Sequence, residues 1–499
     1  MTTMAAVDLG AQSGRVALGA LDGERLSVSE VHRFPNVPVQ VRGTLYWDPL
    51  RLFDEIQAGL SAAATSGDIA SVGVDSWGVD YGLLDADGRL IQNPVHHRDR
   101  RTDGVMDALF AEVPAREIYE RTGIQLMPIN TLVQLYAAAR ADERPLEIAQ
   151  TLLLIPDLFH FWLSGVATSE YTNASTTQCL DPRAQAWATE LLERLGLPSR
   201  VLPELVRPAT PLGPLLPEAA ERTRLRRAVV VVPATHDTAS AVAAVPFRQR
   251  GSAYISAGTW SLVGMELDAP LITDESFAAN LTNEGGMDGT VRLLKNVNGL
   301  WLVNECQRAW AEEGTALGFD ELVRLAEAAP RLVSLLDPDE ATLMQRGSMP
   351  ERIRQSCVQA GEPAPDSPGA VVRCIVESLA LKYRYTIELL ADVTGTTPAE
   401  LHIVGGGSRN ALLCQCTADA TGLQVLAGPE EATVVGNLLG QAIALGELGS
   451  LEEARAVVRV SFEPRIFEPR GHAEWDAAYA RFCGLLRGMD ATEREVAVP

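Results

Sequence analysis

The sequence lacks any apolar run approaching the roughly 18–20 residues needed to cross a bilayer. Its opening segment, MTTMAAVDLGAQSGR, has no basic stretch followed by an apolar one, which is the pattern of a secretory signal peptide. Membrane-spanning and secreted proteins are therefore disfavoured classes. We expect a soluble protein of the cytoplasm.

Cysteine is also scarce, with seven residues in 499. An odd number without compact spacing does not suit a disulfide scaffold and is typical of a reducing compartment. Two close sets occur, Cys414 with Cys416 and Cys357 with Cys374, and neither has a second Cys or His pair at zinc-site spacing. We therefore expect buried or helix-surface thiols and no metal ligands among them.

Basic residues are outnumbered, with 42 Lys and Arg against 65 Asp and Glu, a net charge of −23. Proteins that bind nucleic acid or anionic lipid gather Lys and Arg in clusters, so this balance argues against direct nucleic-acid and membrane partners. The chain is 46% hydrophobic and 21% charged, as in a folded protein. Single cores stop growing near about 250–300 residues, so this length predicts two domains.

What the sequence does contain is an alternation of strands and helices. Three antiparallel strands are predicted at the start, from the runs over Met4–Leu9, Arg15–Ala20 and Leu26–His32 with turns between them. Apolar residues at helical spacing predict a helix over Leu50–Ala64, preceded by an Asp-Pro pair suited to a helix start. A buried strand is then predicted over Ser71–Val74.

The second half repeats this order. A hairpin is predicted from Ser252–Ser256 and Trp260–Leu267, and much later a buried strand over Leu401–Val404 leads through glycines into a helix over Arg409–Ala420. An internal duplication explains the repetition. We therefore predict an α/β fold with two similar domains, residues 1–245 and 246–499.

The glycine turns of the two hairpins are candidate phosphate sites. A strand-glycine-strand turn can present backbone N–H groups to an anion, because glycine permits close approach. The turn Gly10–Gly14 is followed by Arg15, and Gly258-Thr259 occupies the equivalent place in the second half. We expect the two turns to face each other across a cleft. The alternative is that each is an ordinary hairpin turn.

Asp8 stands directly before the first of these turns. A carboxylate cannot bind phosphate directly, but it can hold Mg2+ or the waters of Mg2+ against phosphates. Asp8 is therefore a candidate metal residue. Alternatively, its side chain caps the turn.

A third glycine segment, Gly405-Gly406-Gly407-Ser408, follows a buried strand and precedes a helix. It lacks the G-x-G-x-x-G pattern of dinucleotide-binding proteins and the lysine of a P-loop. Close approach next to a helix N-terminus suits some part of a nucleotide. A tight strand-to-helix turn without a ligand is an equal alternative.

A candidate general base follows the apolar strand predicted over Ala228–Val232. Asp237 lies where this strand gives way to a helix of small residues, and helix-terminal N–H groups stabilise a carboxylate there. It can accept a proton from a hydroxyl group. The alternative is that Asp237 or Thr235 only caps the helix.

Two segments combine groups that bind sugars. Aromatic rings cover the apolar faces of a sugar, while carboxylates and amides bind its hydroxyls. The segment Asp75–Asp80 contains Trp77, Gly78 and two carboxylates, with Trp77 as a core residue as the alternative. The segment Lys295–Trp301 contains Asn296 and Asn298, which alternatively cap the next helix.

The pair His96 and His97 is expected to be partly exposed. Adjacent histidines do not share a face of a helix or strand, so a metal site there is disfavoured. A Ser-His-Asp hydrolase is excluded as well, because His236 and Asp237 are sequence neighbours and no G-x-S-x-G segment precedes a helix.

Taken in order, these segments resemble the FGGY family of carbohydrate kinases over nearly the whole chain. The residues that carry the resemblance are Asp8-Leu9-Gly10-Ala11-Gln12-Ser13-Gly14-Arg15, Val74-Asp75-Ser76-Trp77-Gly78-Val79-Asp80, Thr235-His236-Asp237-Thr238-Ala239-Ser240-Ala241-Val242, Ser256-Ala257-Gly258-Thr259-Trp260-Ser261-Leu262 and Gly405-Gly406-Gly407-Ser408-Arg409-Asn410. The resemblance implies two actin-like (ribonuclease H-like) ATPase domains with a central cleft that close on MgATP and a ketose.

The resemblance also implies roles for individual residues. Asp237 would accept the proton as the 1-hydroxyl of L-rhamnulose attacks ATP. Contacts to ATP would come from Ala11, Gln12, Ser13, Gly14, Arg15, Thr259, Asn304 and Gly406. Contacts to the sugar would come from Gly78, His236, Asp237, Thr238 and Asn296, with Trp77 as a weaker candidate. In the related subgroup, residues matching Cys357 and Cys374 form a disulfide. Gln12 stands where serine is more usual.

Three rival functions remain at this point. A kinase of the same family could act on another ketose or polyol, such as L-fuculose or L-xylulose. An actin-like ATPase could act on a protein partner, although the sugar-binding segment Trp77–Asp80 argues against it. A sugar sensor that regulates transcription would need a basic helix-turn-helix segment, which neither terminus supplies.

Overall fold

The computed structural model describes residues 1–141, 143–249 and 251–496. Two units are formed by segments that alternate along the chain. The first contains Met1–Phe247, Glu266–Leu294 and Glu431–Glu463, and the second contains Arg248–Met265, Lys295–Glu430 and the chain from Pro464 onward. The division into domains of residues 1–245 and 246–499 stays a prediction, to which the structure adds that two later segments pack with the first unit.

The strands in chain order are β1 Thr2–Leu9, β2 Ser13–Asp22, β3 Arg25–Pro35, β4 Val39–Val41, β5 Thr44–Tyr46, β6 Ser71–Ser76, β7 Tyr81–Leu84, β8 Thr151–Leu154, β9 Ser169–Glu170, β10 Leu180–Asp181, β11 Ala186–Trp187, β12 Leu205–Val206, β13 Thr210–Pro214, β14 Val229–Val232, β15 Ala253–Ala257, β16 Trp260–Leu267, β17 Thr282–Gly285, β18 Val291–Asn298, β19 Leu401–Val404, β20 Val425–Ala427 and β21 Arg465–Phe467.

The helices are α1 Pro49–Ala63, α2 Val105–Glu112, α3 Ala115–Thr122, α4 Thr131–Arg140, α5 Arg144–Ile148, α6 Ile155–Ser164, α7 Tyr171–Ala174, α8 Thr189–Arg194, α9 Pro217–Thr223, α10 Asp237–Ala243, α11 Asp274–Ala278, α12 Trp301–Glu312, α13 Phe319–Ala328, α14 Met349–Gln359, α15 Pro368–Thr394, α16 Ala411–Thr421, α17 Ala432–Ala444, α18 Leu451–Ser461 and α19 His472–Val496. Within the described residues, no helix has the length and apolar character needed to cross a membrane.

The sheet of the first unit has the order β13-β14-β6-β1-β2-β3. Strand β1 is antiparallel to β2 and parallel to β6, β6 is parallel to β14, and β14 is antiparallel to β13. The carboxyl ends of β1, β6 and β14 therefore lie side by side at one edge of the sheet. Residues that follow these three strands are brought together there, although they are far apart in the sequence.

The second unit repeats this arrangement. Its strands follow one another in the order β16-β15-β19-β20-β21. The pairings β16 with β15 and β20 with β21 are antiparallel, and β15 with β19 and β19 with β20 are parallel. The same succession of pairings in both units confirms the predicted α/β fold built on a duplicated unit.

Helix α1 shows how local sequence sets these elements. Asp48 accepts a hydrogen bond from the backbone N–H of Arg51 at 3.2 Å, and Pro49 occupies the first helical position, where its missing N–H costs nothing. Leu52, Ile56 and Leu60 form the buried face of the helix. The predicted helix and its capping pair are confirmed.

Helix α17 is supplied to the first unit by the later segment Glu431–Glu463. Its Asn437 side chain donates to the backbone oxygen of Gly73 at 3.2 Å and to Asp75 Oδ2 at 2.6 Å. Its Gln441 side chain donates to the backbone oxygen of Ala5 at 3.0 Å. Two buried amides thus attach this helix to the central strands β1 and β6.

One predicted helix begins later than expected. The prediction was Arg409–Ala420, whereas α16 starts at Ala411 and residues Gly406–Arg409 form a 3-10 turn. The reason is a cap: the Asn410 side chain accepts from the backbone N–H of Leu413 at 3.1 Å. The turn between β19 and α16 therefore extends through Arg409 and Asn410, beyond the predicted glycine segment.

The cysteines are free, and all but the half-buried Cys483 are buried, as predicted for structural thiols. The Sγ atoms of Cys357 and Cys374 lie 3.7 Å apart without a bond. The disulfide that the resemblance implies for this pair is thus not formed in this structure, although the two side chains are neighbours.

Candidate active site

Three carboxylates meet at the sheet edge of the first unit. Asp8 and Asp75 are register partners on β1 and β6, and Asp237 follows β14 as the first residue of α10. Burial, followed by the charge of Asp8, raises the pKa of Asp75 well above its usual range. Burial also raises the pKa of Asp237, with the charge of Asp8 acting in the same direction and His236 acting against it. The predicted base and the predicted metal residue thus share one electrostatic environment.

The first glycine turn is tightly closed. The backbone N–H of Gly10 donates to the backbone oxygen of Ser13 at 2.9 Å, and the side chain of Asn36 donates to the backbone oxygen of Gly10 at 2.9 Å. A Cβ on Gly14 would overlap the ring of Phe34. Of the predicted ATP residues here, Gln12 is exposed, Ala11, Ser13 and Arg15 are half-buried, and Gly14 is buried.

Arg15 is engaged by two carboxylates. It forms an ion pair with Asp8 at 2.7 Å and another with Glu431, the residue before α17. Burial acts to lower the pKa of Arg15, but the charges of Asp8 and Glu431 outweigh it and hold that pKa above its ordinary value. The guanidinium therefore stays charged, and it belongs to the same group as Asp8.

Hydrogen bonds to Glu170 hold the segment that carries Asp237 in place. The buried Glu170 carboxylate accepts hydrogen bonds from the backbone N–H and the hydroxyl of Thr235, each at 2.9 Å, and from the N–H of Thr172 at 2.7 Å. Thr235 thus does not cap α10. His236 holds the N-cap position without a side-chain cap, and Asp237 accepts from the N–H of Thr238 at 2.6 Å.

We expect Glu170→Gln to destabilise the protein by about 2–3 kcal/mol. The glutamine amide replaces one carboxylate oxygen by an NH2 group, so a backbone N–H that now donates to that oxygen would lose its acceptor. Turnover should fall with stability, since Thr235 lies two residues before Asp237. Urea unfolding and kcat measured on the same preparation test this. Glu190→Gln is the control, because Glu190 is exposed and its ion pair with Arg121 lies at the surface. Equal stability of the two variants would contradict the role of Glu170.

Asp157 supplies a pH dependence of stability. Its side chain is buried on α6, and Oδ1 accepts from the backbone N–H of Glu170 at 3.2 Å. Burial, followed by the charge of Glu170, raises the pKa of Asp157 well above its usual range. Such an acid keeps its proton in the folded state at pH values where the unfolded chain has lost it. Its stabilising contribution is therefore lost as the pH rises from the unfolded pKa, about 3.9, through the folded one.

Asp157→Asn removes this titration while keeping an oxygen acceptor for Glu170. We expect the variant to gain stability relative to the wild type as the pH rises from about 4 toward neutrality, and the difference to level off above the folded pKa. Urea unfolding of both proteins at a series of pH values measures this difference. A difference that does not change with pH would show that Asp157 titrates normally.

The candidate sugar segment surrounds a buried carboxylate. Asp80 Oδ2 accepts from the indole N–H of Trp47 at 2.6 Å and of Trp77 at 2.9 Å, and it lies 2.7 Å from His97 Nδ1. Trp77 is 7% exposed and belongs to the core, so its placement matches the core alternative. The expectation that His96 and His97 are partly exposed is wrong. Both are buried, because His96 stacks on Trp47 at 4.1 Å and His97 binds Asp80.

Ligand atoms of Asp80, His96 and His97 lie within 4.8 Å of one another. Sequence adjacency of the two histidines was therefore a poor argument against their sharing a site. Three N–H groups already engage Asp80 Oδ2, however, so the arrangement is explained as a hydrogen-bond network.

The turn at Gly78 is strained. Val79 has φ 67°, a left-handed conformation that is unfavourable for a β-branched residue. The hydroxyl of Thr131 donates to the backbone oxygen of Val79 at 2.7 Å, and the N–H of Val79 donates to Thr176 Oγ1 at 3.2 Å. A Cβ on Gly78 would lie 2.8 Å from the same Thr176 atom. The surrounding side chains thus hold this predicted sugar residue in one position.

In the second unit, the second glycine turn is joined to helix α12. The backbone oxygen of Thr259 accepts from the N–H groups of Gly299 and Trp301, both at 3.1 Å, and Gly258 is exposed. Asn304 lies one turn further along α12. The structure therefore brings the predicted ATP residues Thr259 and Asn304 to the same end of this helix.

Asn296 and Asn298 lie at the end of β18. The alternative that they cap α12 is wrong, because Leu300 holds the N-cap position without any side-chain hydrogen bond. The N–H of Asn298 donates to Asp339 at 2.8 Å, and its buried side chain donates to the backbone oxygen of Pro338 at 3.1 Å. Asn298 is therefore structural, whereas Asn296 is half-buried next to it.

Gly406 is the most accessible residue of the third glycine segment. It is exposed, and a Cβ added to it would meet no atom within 4 Å. A Cβ on the neighbouring Gly407 would lie 3.0 Å from the backbone oxygen of Ala257, and Gly405 has φ 79°. Gly405 and Gly407 are thus required by the fold, and the freedom at Gly406 suits a ligand lying against it.

Three charged residues of the first unit were missed by the sequence reasoning: Glu170, Glu284 and Arg292. All are buried next to the segment Thr235–Asp237. Glu170 binds Thr235, 65 positions away, and Arg292 binds His236, 56 positions away, so no local pattern marks these contacts. The one available signal was the charge of Arg292 inside the otherwise apolar run Val-Arg-Leu-Leu.

Comparisons with known proteins extend over both halves of the chain. Residues 3–244 match the FGGY family of carbohydrate kinases, N-terminal domain, and residues 253–445 match the C-terminal domain of that family. A protein named rhamnulokinase from Bacteroides thetaiotaomicron is 42% identical over 483 residues, which cover 97% of this chain and 99% of that protein. Another rhamnulokinase, from Pectobacterium carotovorum, is 43% identical over 484 residues, 96% of each chain.

Solved structures share the fold. A ligand-bound xylulose kinase from Lactobacillus acidophilus superposes with a TM-score of 0.81 at 16% identity and covers 100% of both chains. The glycerol kinase of Plasmodium falciparum with ADP gives a TM-score of 0.77 at 15% identity and covers 100% of this chain and 99% of that one.

Proposed function

The chain belongs to the FGGY family of carbohydrate kinases, and from this premise we propose that it transfers the γ-phosphate of ATP to the 1-hydroxyl of L-rhamnulose. The products are L-rhamnulose 1-phosphate and ADP, and the reaction serves L-rhamnose catabolism in the cytoplasm. The observation that carries the choice of sugar is the identity of about 40% to rhamnulokinases over nearly the whole length of both chains.

In this proposal Asp237 is the general base. Its side chain is 31% exposed, so a hydroxyl can reach it. Burial raises the pKa of Asp237, which makes it a stronger base than an ordinary carboxylate. The N–H and hydroxyl of Thr238 both donate to Asp237 Oδ1, at 2.6 and 3.2 Å, which fixes the carboxylate relative to α10.

ATP contacts are proposed for the two glycine turns and the third glycine segment. The turn over Ala11, Gln12, Ser13 and Gly14 supplies backbone N–H groups, and Arg15 supplies a guanidinium that stays charged. Thr259 is proposed to contact the phosphates, Asn304 is proposed as a further contact to ATP, and Gly406 is proposed to lie at the adenosine side. Most of the rate enhancement comes from positioning and charge stabilisation, as in other phosphoryl transfers.

A magnesium ion fits the donor groups of the first unit. Mg2+ prefers oxygen ligands, and the group contains Asp8 and Asp75. The Oδ1 atom of Asp75 is buried and has no hydrogen-bond partner among the residues that the structure describes. Asp8 would hold the ion, directly or through water, and Asp75 is its neighbour on the adjacent strand β6. When bound, Mg2+ supplies positive charge to the phosphates of ATP.

Sugar contacts are proposed for Gly78, His236, Thr238 and Asn296, with a weaker role for Trp77. The strained turn at Val79 presents Gly78 just after β6, and the bridge between Ser76 and His236 joins the end of β6 to the segment that carries Asp237. Thr238 and His236 flank Asp237, so a hydroxyl held by them lies next to the proton acceptor.

A coupled ADP-release assay over L-rhamnulose, L-fuculose, L-xylulose and related polyols tests the function, with the product position read by NMR. We expect saturation with L-rhamnulose at far lower concentration than with the others, and phosphate at the 1-position. Preference for another sugar would show that the chain is a kinase of the same family with that sugar as its substrate. ADP release that needs no sugar would instead favour an ATPase that acts on a protein.

A further inference from the structure

A buried ion pair lies behind the segment that carries Asp237. Glu284 on β17 and Arg292 on β18 are register partners in an antiparallel hairpin, and their Oε2 and Nη2 atoms lie 3.1 Å apart. Arg292 is 0% exposed, and its Nε donates to the backbone oxygen of Gly285 at 2.9 Å. Removing both charges of an ion pair from water costs free energy. We therefore expect the contacts of this pair to serve the fold or the site.

The pair converges on one nitrogen of His236. Arg292 Nη2 lies 3.1 Å from His236 Nδ1, and Glu284 Oε2 lies 3.3 Å from the same nitrogen. A guanidinium has only donors, so the shorter contact requires Nδ1 to accept. If Nδ1 carried a proton, that hydrogen would face a hydrogen of Arg292. A neutral ring that accepts from Arg292 through Nδ1 carries its proton on Nε2.

The other ring nitrogen faces the candidate base. His236 Nε2 lies 3.5 Å from Asp237 Oδ1, the same oxygen that accepts from the N–H and hydroxyl of Thr238. All three donors thus approach Oδ1. The second carboxylate oxygen, Oδ2, has none of these contacts and is the oxygen available to a substrate hydroxyl.

We propose that Arg292, held by Glu284, is a positioning residue that fixes the imidazole of His236 with its proton on Nε2, so that His236 and Thr238 bind Asp237 Oδ1 and leave Oδ2 to take the proton of the sugar hydroxyl. The role assigned to Oδ2 rests on the proposed function, whereas the state of the ring does not. Nε2 lies 3.5 Å from Oδ1, and we expect this distance to shorten when the sugar is bound, as catalytic hydrogen bonds commonly do.

The first test is spectroscopic and needs no substrate. In protein labelled with 15N-histidine, the His236 signals are assigned by their loss in His236→Gln. We expect the wild type to show an unprotonated Nδ1 and a protonated Nε2. In Arg292→Met the donor is gone and Glu284 remains, so the proton should move to Nδ1. A wild-type ring protonated on Nδ1, or a ring unchanged in Arg292→Met, would overturn the proposal.

The second test is kinetic. We expect Arg292→Met to lower kcat by up to about 100-fold with little change in KM for ATP, because misplacing a reacting group costs rate more than nucleotide binding. Arg292→Lys keeps a donor and should restore part of the rate and the wild-type tautomer. A low kcat with an unchanged tautomer would assign Arg292 a structural role only and reject the proposal.

Arg455→Met is the matched control. Arg455 is a second buried arginine of the first unit. It pairs with Glu266 at 2.9 Å and donates to the backbone oxygen of Val242, and among the described residues it makes no hydrogen bond or ion pair to His236. Its loss should reduce stability and leave kcat and the His236 ring unchanged. If Arg292→Met does not fold, Glu284→Gln and Arg292→Lys carry the same two measurements. Failure of the sugar panel would leave the ring result standing, so the two proposals fail separately.

Discussion

Replacing Asp237 by Asn is expected to reduce kcat by about 100-fold to 10,000-fold, the usual contribution of a positioned general base. The amide keeps the size of the side chain and an oxygen that can accept from Thr238, so the start of α10 should be preserved. It cannot take a proton from the sugar hydroxyl. Affinities for ATP and for L-rhamnulose, measured by calorimetry, should therefore stay close to those of the wild type.

Asp107→Asn is the control for this substitution. Asp107 is also an aspartate in the first turn of a helix of the first unit, α2, and it is exposed. It should show wild-type kcat and stability. Near-normal turnover in Asp237→Asn would reject Asp237 as the base, while loss of sugar binding would show that its main role is to hold the substrate.

Replacing Gly436 by Ala is expected to destabilise the first unit by about 3 kcal/mol or more, at the upper end of what overpacking costs. Gly436 lies in α17, where a Cβ would overlap the backbone carbonyl of Ser240 in α10 and lie 2.9 Å from its Cα. A backbone group cannot rotate away, so the two helices must separate. Because α10 begins at Asp237, kcat should fall as well.

Gly484→Ala is the control for Gly436. Gly484 lies within α19 with open space around it, so alanine there should be neutral or stabilise by up to about 1 kcal/mol through its higher helix propensity. Urea unfolding compares the two variants, and kcat is measured under native conditions. A Gly436→Ala protein with wild-type stability and kcat would show that the packing of α10 against α17 tolerates a larger spacing.

The elements around the site were predictable where neighbouring residues decide them. The hairpin at Gly10, the strand Leu401–Val404 and helix α1 follow from alternation, turn residues and a capping pair within a few positions. The start of α16 was predicted at Arg409, two residues too early, because the side chain of Asn410 caps the helix and the α-helical residues begin after it. The burial of His96 and His97 was missed because Trp47, which stacks on His96, is 49 positions away and Asp80, which binds His97, is 17 positions away.

The sequence by itself determined the duplicated order of elements, the three glycine segments and the identity of the candidate base, since each depends on spacing along the chain. Only the tertiary structure decided what surrounds that base. The order of the strands placed Asp8 and Asp75 near Asp237. Two buried carboxylates from elsewhere in the chain contact the residues that precede the base: Glu170 binds Thr235, and Glu284 lies next to His236. Such contacts join residues whose separation carries no periodic signal. They form because a buried polar group must find a partner wherever the packed sheet and helices supply one.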